Sequence, residues 1–319
     1  MVEYTAPRQY PMKRPEYNSL PLDALFQAMM SEEELLRIID SMLAEDLGDD
    51  GDVTSESMEL GSRTAMGDIV SRESGVIAGI PMVMAIIERA DATIRVEASI
   101  SDGDRCSPGQ PIMSFSGELA DILMLERSML NILGQLSAVA TMTRSFVDAV
   151  SGTSACICDT RKTIPGIRRL QKYAVRCGGG LMHRIGLFDA VLVKDNHLKA
   201  VPPDQLAGGI ARIAAQAREK FQPSFIEVEV DDLEQLQQVL ELEPGVVDIV
   251  LLDNMEPATM RKAVSMRDAA ACSPAFEASG GITLETVRDV AMTGVERIAI
   301  GALTHSSGCL DIGLDVRDE

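Results

Sequence analysis

From Ser154 onward the chain alternates short apolar segments with helical ones, and no other feature constrains its fold as tightly. SACICD, FDAVLVKD, FIEVEVD, VDIVLLDN, AFEASGG and RIAIGAL read as buried strands. Between them GIRRLQKYAVRCGGG, PDQLAGGIARIAAQAREKF, DLEQLQQVLELEPG, EPATMRKAVSMRDAAA and ITLETVRDVAMTG carry helical spacing, the first ending at a glycine stop. Repeated strand–helix units imply a parallel sheet, and six strands in this register can curl into a barrel.

The polar residues of this half stand where a barrel keeps its chemistry. Asp159 to Lys162 follow the first strand and Lys194 the second, while Glu229 lies late in the third. Asp253 and Asn254 follow the fourth, Ser279 to Gly281 the fifth, and Gly301 to Leu303 the sixth. All are at carboxyl ends of strands, the catalytic face of a βα barrel, so residues distant in sequence should converge on one pocket.

One wall of that pocket is basic. Residues 159–197 carry eight Lys or Arg (Arg161, Lys162, Arg168, Arg169, Lys172, Arg176, Arg184, Lys194) against three Asp, in a chain of formal charge −20. Cations gathered so locally in an acidic protein mark where an anion goes. The overall acidity argues against nucleic acid and against anionic membrane surfaces as partners.

The N-terminal half is mixed. Prolines at 7, 11, 15 and 21 suggest a loosely held arm over residues 1–30. SEEELLRIIDSMLAEDLG opens with a capping box at Ser31 and stops at Gly48. Strand-like stretches around 63–79, 93–99 and 110–116 flank a helix over 81–90, and residues 118–151 form a long apolar helix that could divide at Gly134. Within that helix Arg127 reads, on helical position alone, as a surface charge over an apolar stem. The expected division is an arm (1–30), an α/β sandwich domain (31–140) and a barrel domain (141–307), the tail 308–319 being free to return to the sandwich. The chain opens without a secretory apolar core, carries no apolar run of membrane-spanning length, and has six scattered cysteines that read as reduced thiols, so the expected compartment is the cytoplasm. Cys156 and Cys158 share one face of a strand, but no second pair stands at zinc-ligand spacing.

Arg161, Lys162, His183, Arg184 and Lys194 together exceed what a single phosphate requires, so the ligands should carry several negative charges. Arginine suits flat carboxylates and lysine a phosphate oxygen. The SGG and IGA glycines stand where barrels hold phosphate on bare backbone N–H groups. Glu229 and Asp253 suit Mg²⁺ through water, or sugar hydroxyls, or simple pairing with the neighbouring cations. His183 reads as a neutral donor to an anion, His197 as structural and Cys177 as core.

DTRKTIPGIRRLQKYAVRCGGG, HRIGLFDAVLVKDNH, IEVEVD, LLDN, SGGIT and IGALTH, preceded by EDLGDDGDVTS and LERSMLNILGQLSAVAT, resemble in order and spacing the nicotinate-nucleotide pyrophosphorylase (carboxylating), or quinolinate phosphoribosyltransferase, family over residues 35–316. The resemblance implies an N-terminal α/β sandwich joined to an incomplete, six- to seven-stranded α/β barrel. It implies a pentosyltransferase that joins quinolinate to phosphoribosyl pyrophosphate with Mg²⁺, giving nicotinate mononucleotide, pyrophosphate and CO₂ in NAD synthesis. It also implies a homodimer in which Arg127 of the partner subunit completes the site. Carried over by motif, quinolinate meets that Arg127 with Arg161, Lys162, His183 and Arg184, and phosphoribosyl pyrophosphate meets Lys162, Lys194, Glu229 and Asp253. Its 5′-phosphate rests on Ser279, Gly280, Gly281, Gly301 and Ala302, with His305, and Thr160 and Ile300 complete the substrate set. Lys162, Lys194, Glu229 and Asp253 take the catalytic roles. Two departures stand out: Met182 where the family often has Asn, and the arm, which has no counterpart in the pattern. The competing readings are a molybdenum-operon pyrophosphorylase relative, which lacks the KDNH motif, a Schiff-base aldolase using Lys194, and a non-catalytic phosphoribosyl-ligand sensor, against which intact Lys162, Glu229 and Asp253 speak.

Overall fold

The computed structural model describes residues 16–60, 63–198, 205–271 and 273–318. In chain order its helices are α1 (Leu22–Met29), α2 (Glu32–Leu47), α3 (Val53–Ser57), α4 (Ile80–Arg89), α5 (Leu119–Ala149), α6 (Arg168–Cys177), α7 (Asp195–Leu198), α8 (Leu206–Lys220), α9 (Leu233–Leu240), α10 (Pro257–Ala269), α11 (Val287–Ala291) and α12 (Ala302–His305). The strands are β1 (Thr64–Ser71), β2 (Gly75–Val76), β3 (Ile94–Ala98), β4 (Arg105–Cys106), β5 (Pro111–Glu118), β6 (Cys156–Cys158), β7 (Val191–Val193), β8 (Ile226–Val230), β9 (Ile249–Asp253), β10 (Ala275–Ser279), β11 (Arg297–Ala299) and β12 (Ile312–Asp318). Among the described residues no helix is long and apolar enough to cross a membrane.

The N-terminal unit is an antiparallel sheet of order β12-β1-β5-β3. Its first strand pairs with the last strand of the chain, Ala65 opposite Asp318 through Ser71 opposite Ile312, so the C-terminal tail closes one edge of this sheet. The Ser31 side chain caps α2 by accepting from Glu34 N at 3.2 Å, and Gly48 ends it at φ 54°.

The spine of the molecule is α5, thirty-one residues long, which touches β1, β5 and β12 on one side and β6 and α6 on the other. Gly134 does not divide it. The glycine lets the returning C-terminal segment cross the helix: Leu310 N donates to Gly134 O at 2.9 Å, and a Cβ there would lie 2.7 Å from Cys309 Sγ and 2.8 Å from Leu310 O.

The expected arm over 1–30 falls partly on described residues. Residues 1–15 lie outside the described residues, but 16–30 are docked on the barrel. Leu25, Phe26 and Met29 recur at helical spacing and are buried, the Phe26 ring standing edge-on to Tyr173 with centroids 5.2 Å apart. This apolar stripe, packed against the barrel, decides the segment's placement despite the local proline signal.

The C-terminal unit is a parallel sheet of order β6-β11-β10-β9-β8-β7. Leu181 adds one parallel bridge to Cys158 outside β6, and among the described residues no bridge joins Leu181 to β7, so the barrel is incomplete. All five residues of β8 (IEVEV) are buried. Its valines join the apolar core beneath α9, so period two turns Glu227 and Glu229 to the interior. The barrel is therefore charged inside, and that positions the site.

Candidate active site

The mouth is assembled from loop backbones laid against one another. Asn254, at φ 52°, donates its N–H to Ser279 O at 2.8 Å, and a Cβ on Gly280 would sit 2.9 Å from Asn254 N. Gly280 and Gly281 hold φ values of 103° and 61°, which only glycine adopts at low cost. On the other side Thr304 Oγ1 donates to Lys162 O at 2.7 Å, and a Cβ on Gly301 would meet Lys162 Cδ at 2.8 Å. Ala302, which opens α12, and Ile300 flank that glycine, and the His305 ring lies 3.3 Å from the same point and bonds Ser306 Oγ at 2.6 Å.

Charge is concentrated within this frame. Lys194 Nζ, half exposed, stands 2.5 Å from Glu229 Oε2. Asp253 is half-buried and none of the described hydrogen bonds engages its side chain; burial, then Glu229 and Asp231, push its carboxyl up, while Lys194 and Lys162 pull it down. Four sequence-predicted residues are thus in one electrostatic unit. Thr160 Oγ1 accepts from Lys162 N at 3.0 Å and shapes the turn that carries Arg161. Arg184 is buried and its guanidinium is pushed down by desolvation and then by Arg161 nearby. The Arg161 Nε is buried without a partner. Two guanidiniums held close together, with a donor unused, form a receptor for a flat dianion.

His183 differs from expectation. Its ring turns inward: Nε2 is 2.8 Å from Glu227 Oε2 and 3.3 Å from Glu277 Oε1, and Glu277 Oε2 in turn accepts from Arg297 Nε at 2.7 Å. Burial alone would push the imidazole down, but Glu277 and Glu227 outweigh it and raise it to about 9. Arg184 N–H also points at Nδ1 from 2.7 Å, which asks for a lone pair there. The carboxylates decide, since an uncompensated buried ion costs several kcal/mol and one imperfect neutral contact about 1 kcal/mol. His183 is a cation serving the interior, not the neutral donor its sequence position suggested. His183, Glu227 and Glu277 also bring their ligand atoms within 4.8 Å of one another, as a metal site would. With His183 protonated and Arg297 adjacent, however, the two carboxylates are already balanced.

The basic segment divides in two. Lys172, wholly buried, bonds Asp159 Oδ1 at 2.6 Å and His183 O at 3.1 Å, and Asp159 accepts His183 N at 2.8 Å. That pair ties the loop bearing Arg161 to the one bearing Arg184. Arg168 bonds Thr163 Oγ1 and Ile185 O, Arg169 bonds Met29 O, and Arg176 bonds Gly180 O and Leu20 O. Arg161, Lys162, Arg184 and Lys194 are left at the mouth, Arg184 with one donor on Ala190 O at 3.1 Å and Lys194 paired with Glu229. His197 accepts Lys194 N at 2.9 Å, a structural contact, and Cys177 is buried. Glu227, Glu277, Arg297 and Asn18 were not singled out from sequence. Two Glu at i and i+2 in a buried strand were the signal for the first.

Arg127 lies apart. It projects from α5 with its side chain 58% exposed and, among the described residues, pairs with its neighbour Glu126 at 2.7 Å.

Two family profiles cover the chain between them: quinolinate phosphoribosyl transferase, N-terminal domain, at residues 52–137, and the C-terminal domain at 139–315. The chain belongs to the quinolinate phosphoribosyltransferase family. Its members are pentosyltransferases, and the antiparallel sheet and the parallel six-stranded sheet are their two domains. A nicotinate-nucleotide pyrophosphorylase [carboxylating] of Mycobacterium leprae is 42% identical over 276 residues, 86% of this chain and 94% of that one. A probable enzyme of the same name from Bacillus subtilis is 37% identical, across 90% of this chain and 95% of the relative. The structure of the nicotinate-nucleotide pyrophosphorylase from Francisella tularensis superposes with a TM-score of 0.81 at 33% identity, covering 96% of this chain and all of the other. Against the aldolase alternative, Lys194 is an ion-paired ammonium at an open mouth, where a Schiff-base lysine wants a desolvated free amine.

Proposed function

We propose that this protein transfers phosphoribosyl from phosphoribosyl pyrophosphate to quinolinate and decarboxylates the product, giving nicotinate mononucleotide, pyrophosphate and CO₂ in de novo NAD synthesis. The observation that carries this reading is the pairing of two adjacent guanidiniums, Arg161 and Arg184, with an ion cluster of Lys162, Lys194, Glu229 and Asp253. The first pair suits the two carboxylates of a pyridine dicarboxylate, and the second group suits a pyrophosphorylated sugar.

In the proposed mechanism Arg161 and Arg184 hold quinolinate so that its ring nitrogen faces the anomeric carbon. Lys162 and Lys194 stabilise charge gathering on the leaving pyrophosphate. The C–O bond breaks with its electrons leaving on pyrophosphate, positive charge develops on the ribose, and the ring nitrogen donates its pair to the anomeric carbon. The pyridinium so formed then accepts the electrons of the breaking C–CO₂⁻ bond, and a proton from solvent replaces CO₂. Positioning and electrostatics supply the acceleration, with no protein nucleophile. Glu229, Asp253 and the backbone of Ser279, Gly280, Gly281, Gly301 and Ala302 hold the ribose and its 5′-phosphate, with Ile300 and His305 beside them.

Mg²⁺ fits the acidic side of the mouth, because Asp253 is pushed up by burial and then by Glu229 and Asp231, and its side chain is without a hydrogen bond among the described residues. Glu229 and Asp253 would hold it through water, and when bound it would neutralise the departing pyrophosphate. We assign the working form to a homodimer in which exposed Arg127 enters the partner's mouth and completes the carboxylate clamp, and its place to the cytoplasm. The purified protein with quinolinate, phosphoribosyl pyrophosphate and Mg²⁺ should yield nicotinate mononucleotide. Turnover of nicotinate in place of quinolinate would refute the assignment.

A further inference from the structure

The segment before Ser31 reaches the carboxylate clamp. Asn18 Oδ1 accepts Met182 N–H at 2.8 Å, and Asn18 Nδ2 donates to Met182 O at 2.9 Å, across 164 residues. The two bonds fix the orientation of the amide, which acts as a one-residue strand. It does so where the barrel has an open edge: Leu181 makes the last bridge, to Cys158, and the next residue would otherwise present an unpaired N–H and C=O. His183 and Arg184 follow directly.

The same segment grips α6, the helix that joins the Arg161 loop to the Arg184 loop. Arg176 donates to Leu20 O at 3.5 Å, Arg169 donates to Met29 O, and Phe26 stacks edge-on against Tyr173. Glu16, Tyr17 and Asn18 also form one wall of a cavity of about 200 Å³ whose other wall includes Met182, His183 and Arg184.

We infer that residues 16–30 brace the carboxylate clamp and that Asn18 is a positioning residue for it, acting on quinolinate through the Met182 peptide and Arg184. This rests on the reaction proposed above. It gives the segment a role in substrate selection beyond covering apolar surface, because the bonded peptide is adjacent to a guanidinium that must face its ligand in one orientation.

In the full-length chain Asn18→Ala should raise KM for quinolinate about tenfold, as the loss of two neutral hydrogen bonds partly replaced by water allows. KM for phosphoribosyl pyrophosphate and the melting temperature should stay close to the parent values. In the same variant the Met182 amide should exchange faster with deuterium, a readout independent of turnover. An unchanged quinolinate KM, or a rise in both KM values together with a fall in melting temperature, overturns the positioning role. If the parent chain does not turn over quinolinate, the proposed reaction is what has failed; the exchange rate then decides, and an unchanged rate refutes the brace.

Discussion

At the scale of single residues, half of the basic segment turns out to serve the protein itself. Lys172 and Arg161 are the same kind of charge thirteen or fewer positions from Asp159, yet one is sealed against Asp159 and the other faces the mouth. Residue type carries no such distinction; helix phase and the return path of the chain decide it. His183 shows the same effect more sharply, since two glutamates from separate strands make it an interior cation. Its pKa is about 9 when folded against 6.5 as the ordinary value, so the stabilisation is complete below pH 6.5 and is lost as pH rises through 9. Melting temperature should therefore fall across that window, and His183→Gln should flatten this limb while lowering stability at neutral pH. An equally steep limb in the variant would show that another group titrates there.

At the scale of elements, periodicity predicted the parallel strand–helix series and the long helix, because both depend on neighbours in sequence. The boundary reading that failed, a break at Gly134, failed because the glycine answers to a distant segment. Its missing Cβ admits Cys309 and Leu310, and Leu310 O, being backbone, has little freedom to move aside. Gly134→Ala should remove helix strain in α5 worth about 1 kcal/mol but impose a clash of about 1–3 kcal/mol, for a net loss. Urea unfolding would measure it, and a net gain in stability would show that the C-terminal crossing adjusts freely. The arm teaches the converse lesson: Leu25, Phe26 and Met29 were legible as a helical stripe, and the surrounding prolines obscured it.

At the scale of the whole molecule, one chain brings the Arg161 and Arg184 guanidiniums together, and Arg127 stands exposed on α5, paired with Glu126. The proposed sharing of the site between two subunits makes a specific demand on mixed dimers. Arg127→Ala and Glu229→Ala should each be inactive alone. After dissociation and reassociation together, about a quarter of parental activity should return, since half of the dimers are mixed and each regains one site. No recovery would place Arg127 outside the partner's site.

By itself the sequence determined what depends on local spacing: the alternation that makes a parallel barrel, the strand ends where polar residues gather, and the motifs that place the chain in its family. Tertiary structure alone decided which cations face the mouth. It turned His183 to Glu227 and Glu277, buried Lys172 with Asp159, brought Asn18 to Met182 across 164 residues, and returned β12 to β1. The physical reason is common to all four: the free energy of a charge or a peptide group is set by what surrounds it in space, and these surroundings come from segments far apart in the chain.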